Sequence, residues 1–194
     1  GLTAAIYAIR YRLNILVIGQ DIGGLMNQAS IVDNYPGFYN ISGIELMNKF
    51  KEHCDYLKIK IIQDEVKDIK KDKDFIVTIN KESYEAKSLI LTLGTQRRKL
   101  NIPGEDKFLG KGVSYCATCD APMFKDKIVG VVGGNDSAAT SALLLAKYAK
   151  KVYIIYRKAE IRAEPINTEL VKKNKKIEII PNTNILEIKG NKFI

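Results

Sequence analysis

The stretch KIVGVVGGNDSAATSALLLAKYAKKVYIIYR, residues 127–157, decides the fold by its order of residue types. KIVGVVGG (127–134) is a short apolar run that ends in two glycines, the pattern of a strand entering a tight turn. SAATSALLLAKYAKK (137–151) predicts a helix, with Lys147, Lys150 and Lys151 at its C-terminal end, where the helix dipole favours cations. VYIIYR (152–157) is a second β-branched strand pattern. Strand, helix and strand in this order form a βαβ unit.

The same alternation continues on both sides. INTELVKK (166–173) predicts a short helix and IEII (177–180) a further strand. Towards the start, LTAAIYAIRY (2–11) places Leu2, Ala5, Ile6 and Ile9 on one helical face, and NILVIG (14–19) predicts a buried strand of a parallel sheet. Ser42 and Glu45 have the spacing of a capping box, followed by Ile44, Met47, Phe50, Cys54 and Leu57 at helical spacing. IKII (59–62) predicts a strand, and the runs at 66–71, 74–79 and 83–87 predict a strand meander. SLILTLG (88–94) predicts another buried strand, and RRKLNIPGEDK (97–107) a linker. The fold class is therefore α/β, with two Rossmann-like nucleotide-binding domains expected at 1–97 and 98–194. Both read as incomplete. The start at Gly1, directly in a helical pattern, looks cut.

Composition narrows the function. The 194 residues carry a net charge of +9, from 31 Lys+Arg against 22 Asp+Glu. Such a balance suits nucleic acid, an acidic protein partner or a phosphorylated cofactor, or it is simply a lysine-rich surface. Lysines mostly alternate with acids, as in DEVKDIKKDKD (64–74), and no basic stripe is interleaved with aromatics, so nucleic acid is not expected. No run of eighteen apolar residues is present, and no membrane association is expected.

The turn VVGGNDSAA follows a strand and opens a helix, the context of a dinucleotide fingerprint in which a pyrophosphate rests on the helix N-terminus. Gly133, Asp136 and Ser137 are its candidate contacts. Asn135 stands where the second fingerprint glycine is usual; asparagine tolerates left-handed backbone angles, so the turn is expected to survive. A plain strand–helix turn is the alternative. After the second strand come Arg157, Lys158 and Arg162, where an acid would bind the ribose of NAD. Arginine binds phosphate in bidentate fashion, which favours NADPH over NADH; a solvated basic turn is the alternative.

SYCATCDAPM (114–123) puts Cys116 and Cys119 two residues apart with Asp120 next. Such a pair can hold a metal or cycle between dithiol and disulfide. A structural zinc site needs four N or S ligands, and the only others here, His53 and Cys54, are neighbours diverging by about 100° on a predicted helix. Cys54 reads as a small buried hydrophobe and His53 as a surface residue. Redox chemistry fits better, with Asp120 placed to give a proton to a leaving thiol. A hydride from NADPH normally reaches a disulfide through a flavin, so a flavin site is expected in the first α/β half.

CATCD, the preceding GKGVSY, the GGxDSA turn and the RKxxxRA strand end resemble, in order and spacing, the low-molecular-weight thioredoxin reductases. GG (23–24), NYPG (34–37) and the stretch 89–105 resemble that family's FAD half. The resemblance implies a thioredoxin-disulfide reductase that passes electrons from NADPH through FAD to the Cys116–Cys119 disulfide and on to thioredoxin or a similar small redox protein. It implies that Cys119 faces the flavin, that Cys116 attacks the partner disulfide and that Asp120 is the acid–base group. Implied FAD contacts are Gly1, Gly19, Gly23, Gly24, Asn34 and Gly94; Arg157, Lys158 and Arg162 are implied for the 2′-phosphate. The family also implies a cytoplasmic homodimer. Leu25, Thr92-Leu93, Asn135, Tyr156 and Lys158 depart from its usual residues. A non-catalytic nucleotide-binding fragment is the reading from a different class.

Overall fold

The computed structural model describes residues 1–194. The chain divides into two compact units, Gly1–Gln96 and Arg97–Ile194.

In the first unit, α1 (Leu2–Arg10) turns Ala5 and Ile6 inward. After it comes β1 (Val17–Ile18), then α2 (Gly43–Tyr56), then β2 (Ile61–Ile62), which pairs parallel with β1. Ala5, Ile6, Cys54 and Ile59 form the core between them, flanked by Ile15, Val17 and Leu57. The strand expected over 14–19 is thus parallel, but it is two residues long and only half-buried. A sheet of two strands gives it a neighbour on one side alone.

The capping box is present: Glu45 N–H donates to Ser42 Oγ at 3.2 Å and Ser42 N–H to Glu45 Oε2 at 3.1 Å. Leu46 and Cys54 are wholly buried. Ile44, expected on the inner face, is 55% exposed, because it lies about 100° round the helix from the buried Gly43. The meander is observed as β3 (Asp68–Lys71), β4 (Phe75–Thr78) and β5 (Ser83–Ala86), antiparallel throughout, with Asp68 opposite Thr78 and Phe75 opposite Ala86. Val77 and Ile79 point inward, whereas every residue of β3 is exposed.

Residues 88–94 do not form the expected buried strand. They join none of the three sheets, and Ile90 and Leu93 are 71% and 82% exposed. An apolar run becomes a strand only where a neighbouring strand accepts it.

The second unit opens with an irregular segment, then the single turn α3 (Ala117–Asp120) and a 3-10 turn (Ala121–Phe124). Next come β6 (Ile128–Val132), α4 (Asp136–Leu145), β7 (Lys151–Ile155), α5 (Pro165–Lys173) and β8 (Ile177–Ile180). The three strands form one parallel sheet, with Val129 beside Val152 and Val152 beside Ile177. Ala139, Ala142, Leu145, Ala146 and Ala149 pack on Val152, Ile154 and Val171. Alanine at these positions lets α4 approach the sheet closely. This is the Rossmann-like βαβ arrangement of an α/β fold.

The helix α4 ends at Leu145, short of the expected 151, because Lys151 already pairs with Ile128 as the start of β7. The cation at its C-terminal end is Lys176, whose Nζ donates to the carbonyls of Ala146 (3.1 Å) and Ala149 (3.0 Å). Lys147 and Lys150 are exposed instead. The strand β7 stops at Ile155, so Arg157 lies in the loop beyond it.

Candidate functional site

Cys116 and Cys119 are joined as a disulfide. Cys116 caps α3: its Sγ accepts the Cys119 N–H at 3.2 Å, and its carbonyl accepts the Asp120 N–H at 3.1 Å. The single helical turn sets the two Cα atoms 5.3 Å apart, within disulfide reach. Cys119 is exposed and Cys116 half-buried. Ser114, which sequence reasoning did not single out, ties the pair together. Its hydroxyl donates to Asp120 Oδ2 at 2.6 Å and accepts the Cys116 N–H at 3.0 Å. The arrangement can accept two electrons at the S–S bond and keeps a carboxyl group next to it.

The segment expected as a linker contains a buried acid. Glu105 is 3% exposed and accepts from the backbone N–H groups of Leu100 (2.8 Å) and Asn101 (2.7 Å) and from the Tyr115 hydroxyl. The hydrogen bond from Tyr115, with help from the backbone amides, holds the Glu105 carboxyl below its ordinary range. Burial, then the bond to Glu105, pushes the Tyr115 hydroxyl up to about 12. Tyr115 lies between Ser114 and Cys116, so residues 100–105 are fastened to the segment that carries the disulfide. Nothing in the spacing of Glu105 and Tyr115 announces this bond.

At the end of β6 the chain turns through Gly133 and Gly134 into α4. Gly133 carries the positive φ, 134°. Asn135 is extended (φ −99°, ψ −177°) as the N-cap of α4. The left-handed tolerance expected of Asn135 is therefore not used. Gly134 is required for another reason: a Cβ there would lie 2.6 Å from the Tyr156 ring. The glycine pair thus keeps the backbone flat against the end of β7 and leaves the first N–H groups of α4 without helical acceptors. Such a cradle fits a pyrophosphate.

Asp136 is committed to the protein. Its Oδ1 accepts from Glu164 N–H (2.7 Å) and Asn167 Nδ2 (3.0 Å), and these bonds, Asn167 first, hold the carboxyl below its ordinary range. Ser137 is exposed on the first turn. Arg162 N–H donates to the Gly134 carbonyl at 2.5 Å, which brings the basic loop onto the glycine turn. The side chains of Arg157, Lys158 and Arg162 are exposed.

In the first unit, Gly1 caps α1, and Thr92 Oγ1 would lie 2.9 Å from a Cβ at Gly1. Gly94, with a left-handed φ of 67°, follows two residues after Thr92. Gly1 and the region of Gly94 therefore share one corner, and a side chain at position 1 would fill it. Gly19 N–H donates to the Ile62 carbonyl at 3.1 Å, just past β1. Gly23 and Gly24 open a 3-10 turn beside α2, and a Cβ at Gly23 would lie 2.8 Å from Met47 Cγ. Asn34 lies in the exposed 33–40 loop, apart from these backbone contacts. Cys54 is wholly buried and its thiol is pushed up by that burial, while His53 on the same helix is exposed.

Residues 1–193 match the model of the pyridine nucleotide-disulphide oxidoreductases. The thioredoxin reductase of Bacillus subtilis (strain 168) is 37% identical over 97% of this chain and 60% of its own length. That of Peptoclostridium acidaminophilum is 40% identical over 100% of this chain and 62% of its own. The crystal structure of Lactococcus lactis thioredoxin reductase superposes with a TM-score of 0.96 at 35% identity, over 99% of this chain and 64% of that one. The chain thus spans less than two thirds of the length of these relatives. No helix is long and apolar enough to cross a membrane.

Proposed function

This chain belongs to the pyridine nucleotide-disulphide oxidoreductase family, and on that premise we propose that it serves a thioredoxin-disulfide reductase, passing electrons from NADPH through FAD to Cys116–Cys119 and on to thioredoxin or a similar small redox protein. The observation that carries the reading is the disulfide itself, set on a one-turn helix with Asp120 held beside it by Ser114. When bound, FAD supplies a two-electron relay between a hydride donor and a disulfide.

The residues divide the remaining work. Residues 1–97 form the proposed FAD-binding domain, where Gly1, Gly19, Gly23, Gly24, Asn34 and Gly94 would hold the flavin dinucleotide. Residues 98–194 form the proposed NADPH-binding domain. There the Gly133 turn and the first turn of α4, with Ser137, would hold the pyrophosphate, and Arg157, Lys158 and Arg162 the 2′-phosphate. Two electrons and one proton would open the Cys116–Cys119 bond to one thiolate and one thiol, with Asp120 as the group that passes that proton to and from sulfur. Cys116 Sγ then attacks the partner disulfide. A mixed disulfide forms and the partner's other sulfur leaves with the proton. Cys119 Sγ, now a thiolate, attacks Cys116 Sγ, the partner's second sulfur leaves as a thiolate that takes its proton from solvent, and the intramolecular disulfide is restored. Function as a homodimer and in the cytoplasm, where a cycling thiol pair is kept supplied with electrons, belongs to the same proposal.

The test is NADPH oxidation by the full chain, supplied with FAD, in the presence and absence of oxidised thioredoxin. Oxidation that requires thioredoxin and stops in Cys116→Ser supports the reading. NADPH oxidation that proceeds equally in Cys116→Ser contradicts it.

A further inference from the structure

We infer that Asn167, acting through Asp136, is a positioning residue for recognition of the cofactor's 2′-phosphate, which makes Asn167 a determinant of NADPH over NADH. The inference rests on the proposed use of the Gly133 turn and the 157–162 loop as a nucleotide site.

The three basic side chains that would meet the phosphate stand on a loop between the end of β7 and the start of α5. None of Arg157, Lys158 and Arg162 forms an ion pair within the chain. Their placement therefore depends on how the loop backbone is held. On one side the loop is fastened to the segment after β8: the Tyr156 carbonyl accepts from Thr183 N–H at 3.0 Å and the Lys158 carbonyl from Asn182 N–H at 3.1 Å. On the other side it is fastened to the phosphate turn by the Arg162 N–H to Gly134 carbonyl bond and by Asp136 Oδ1.

Asp136 is the joint. One oxygen accepts both the loop amide of Glu164 and the side-chain amide of Asn167 on α5, 28 and 31 residues away. Two donors on Oδ1 turn the carboxylate towards α5 and fix the start of that helix to the first turn of α4. Asn167 is half-buried and reaches nothing else. Its amide thus has one task, to hold the acid that holds the loop. Flexible cations that are pre-placed bind an anion more tightly than cations that must be gathered. The adenosine part of the cofactor makes no demand on the loop cations, so the effect falls on the 2′-phosphate.

The experiment measures binding of adenosine 2′,5′-bisphosphate and of 5′-AMP to the full chain by calorimetry, in wild type, Asn167→Ala and the similarly sized Asn167→Leu. For both variants we expect about fivefold weaker binding of the 2′,5′-bisphosphate, the fold-change of one net hydrogen bond, with 5′-AMP unchanged. Equal loss of both ligands would overturn the inference, because the residue would then support the turn in general. Unchanged binding of both would overturn it as well. A wild-type chain that binds neither nucleotide would instead overturn the cofactor site proposed for this unit, and the inference with it.

Discussion

Ser114 Oγ lies 2.6 Å from Asp120 Oδ2 while it accepts the Cys116 N–H at 3.0 Å, so one hydroxyl joins the acid after the second cysteine to the backbone of the first. The carboxyl proposed as the proton source and the backbone of the disulfide thereby become one unit. Removing the hydroxyl leaves the Cys116 amide without its acceptor and lets the Asp120 carboxyl turn away.

For Ser114→Ala we expect NADPH-driven thioredoxin reduction to fall about tenfold, and for Asp120→Asn about a hundredfold, the scale of a lost general acid. Steady-state rates with oxidised thioredoxin check this. A Ser114→Ala protein at the wild-type rate would show that the hydroxyl only decorates the turn.

The Glu105–Tyr115 bond should make stability depend on pH at both ends. The Glu105 carboxyl is lowered from its ordinary 4.5 in the folded chain, so its contribution is present above that value and is lost as pH falls through the folded value. The Tyr115 hydroxyl is raised from 10 to about 12, so its contribution is present below 10 and is lost as pH rises towards 12. Thermal melts of wild type and Tyr115→Phe at acid, neutral and alkaline pH test this. Tyr115→Phe should be less stable at neutral pH and should lose less on alkalinisation; parallel curves would refute the bond's role.

Gly134→Ala should destabilise the second unit by about 1–3 kcal/mol, because the new Cβ cannot share space with the Tyr156 ring. Denaturant unfolding measures it. Restored stability in the double variant Gly134→Ala, Tyr156→Leu would tie the loss to that contact, and an unchanged loss would not.

The βαβ unit was legible because its signals are local: two apolar runs, two glycines and a helix rich in alanine, all within 31 consecutive residues. The capping box of Ser42 and Glu45 was legible for the same reason. SLILTLG misleads because its apolar residues match a buried strand while strand formation is decided by a pairing partner, and no sheet takes this segment in. The helix α4 ends before the expected 151 because Lys151 serves β7, and the cation at that end, Lys176, comes from beside a different strand. Cys116, Cys119 and Asp120 stand out by spacing. Ser114, Glu105 and Asn167 do not, since each acts on a partner brought near only by the fold.

Arg157→Ala should weaken NADPH about tenfold or more and NADH little, since only the former loses a charge-assisted partner. Comparing KM for the two cofactors checks it. Equal losses would remove Arg157 from the 2′-phosphate contact.

The most direct test of the proposed electron path is a thiol count in denaturant after anaerobic incubation of the FAD-supplemented chain with NADPH. Cys54 is the one free cysteine of three, so the untreated protein should give one thiol per chain. The expected result with NADPH is three, as the Cys116–Cys119 bond opens. One thiol both before and after NADPH would contradict delivery of electrons to this disulfide.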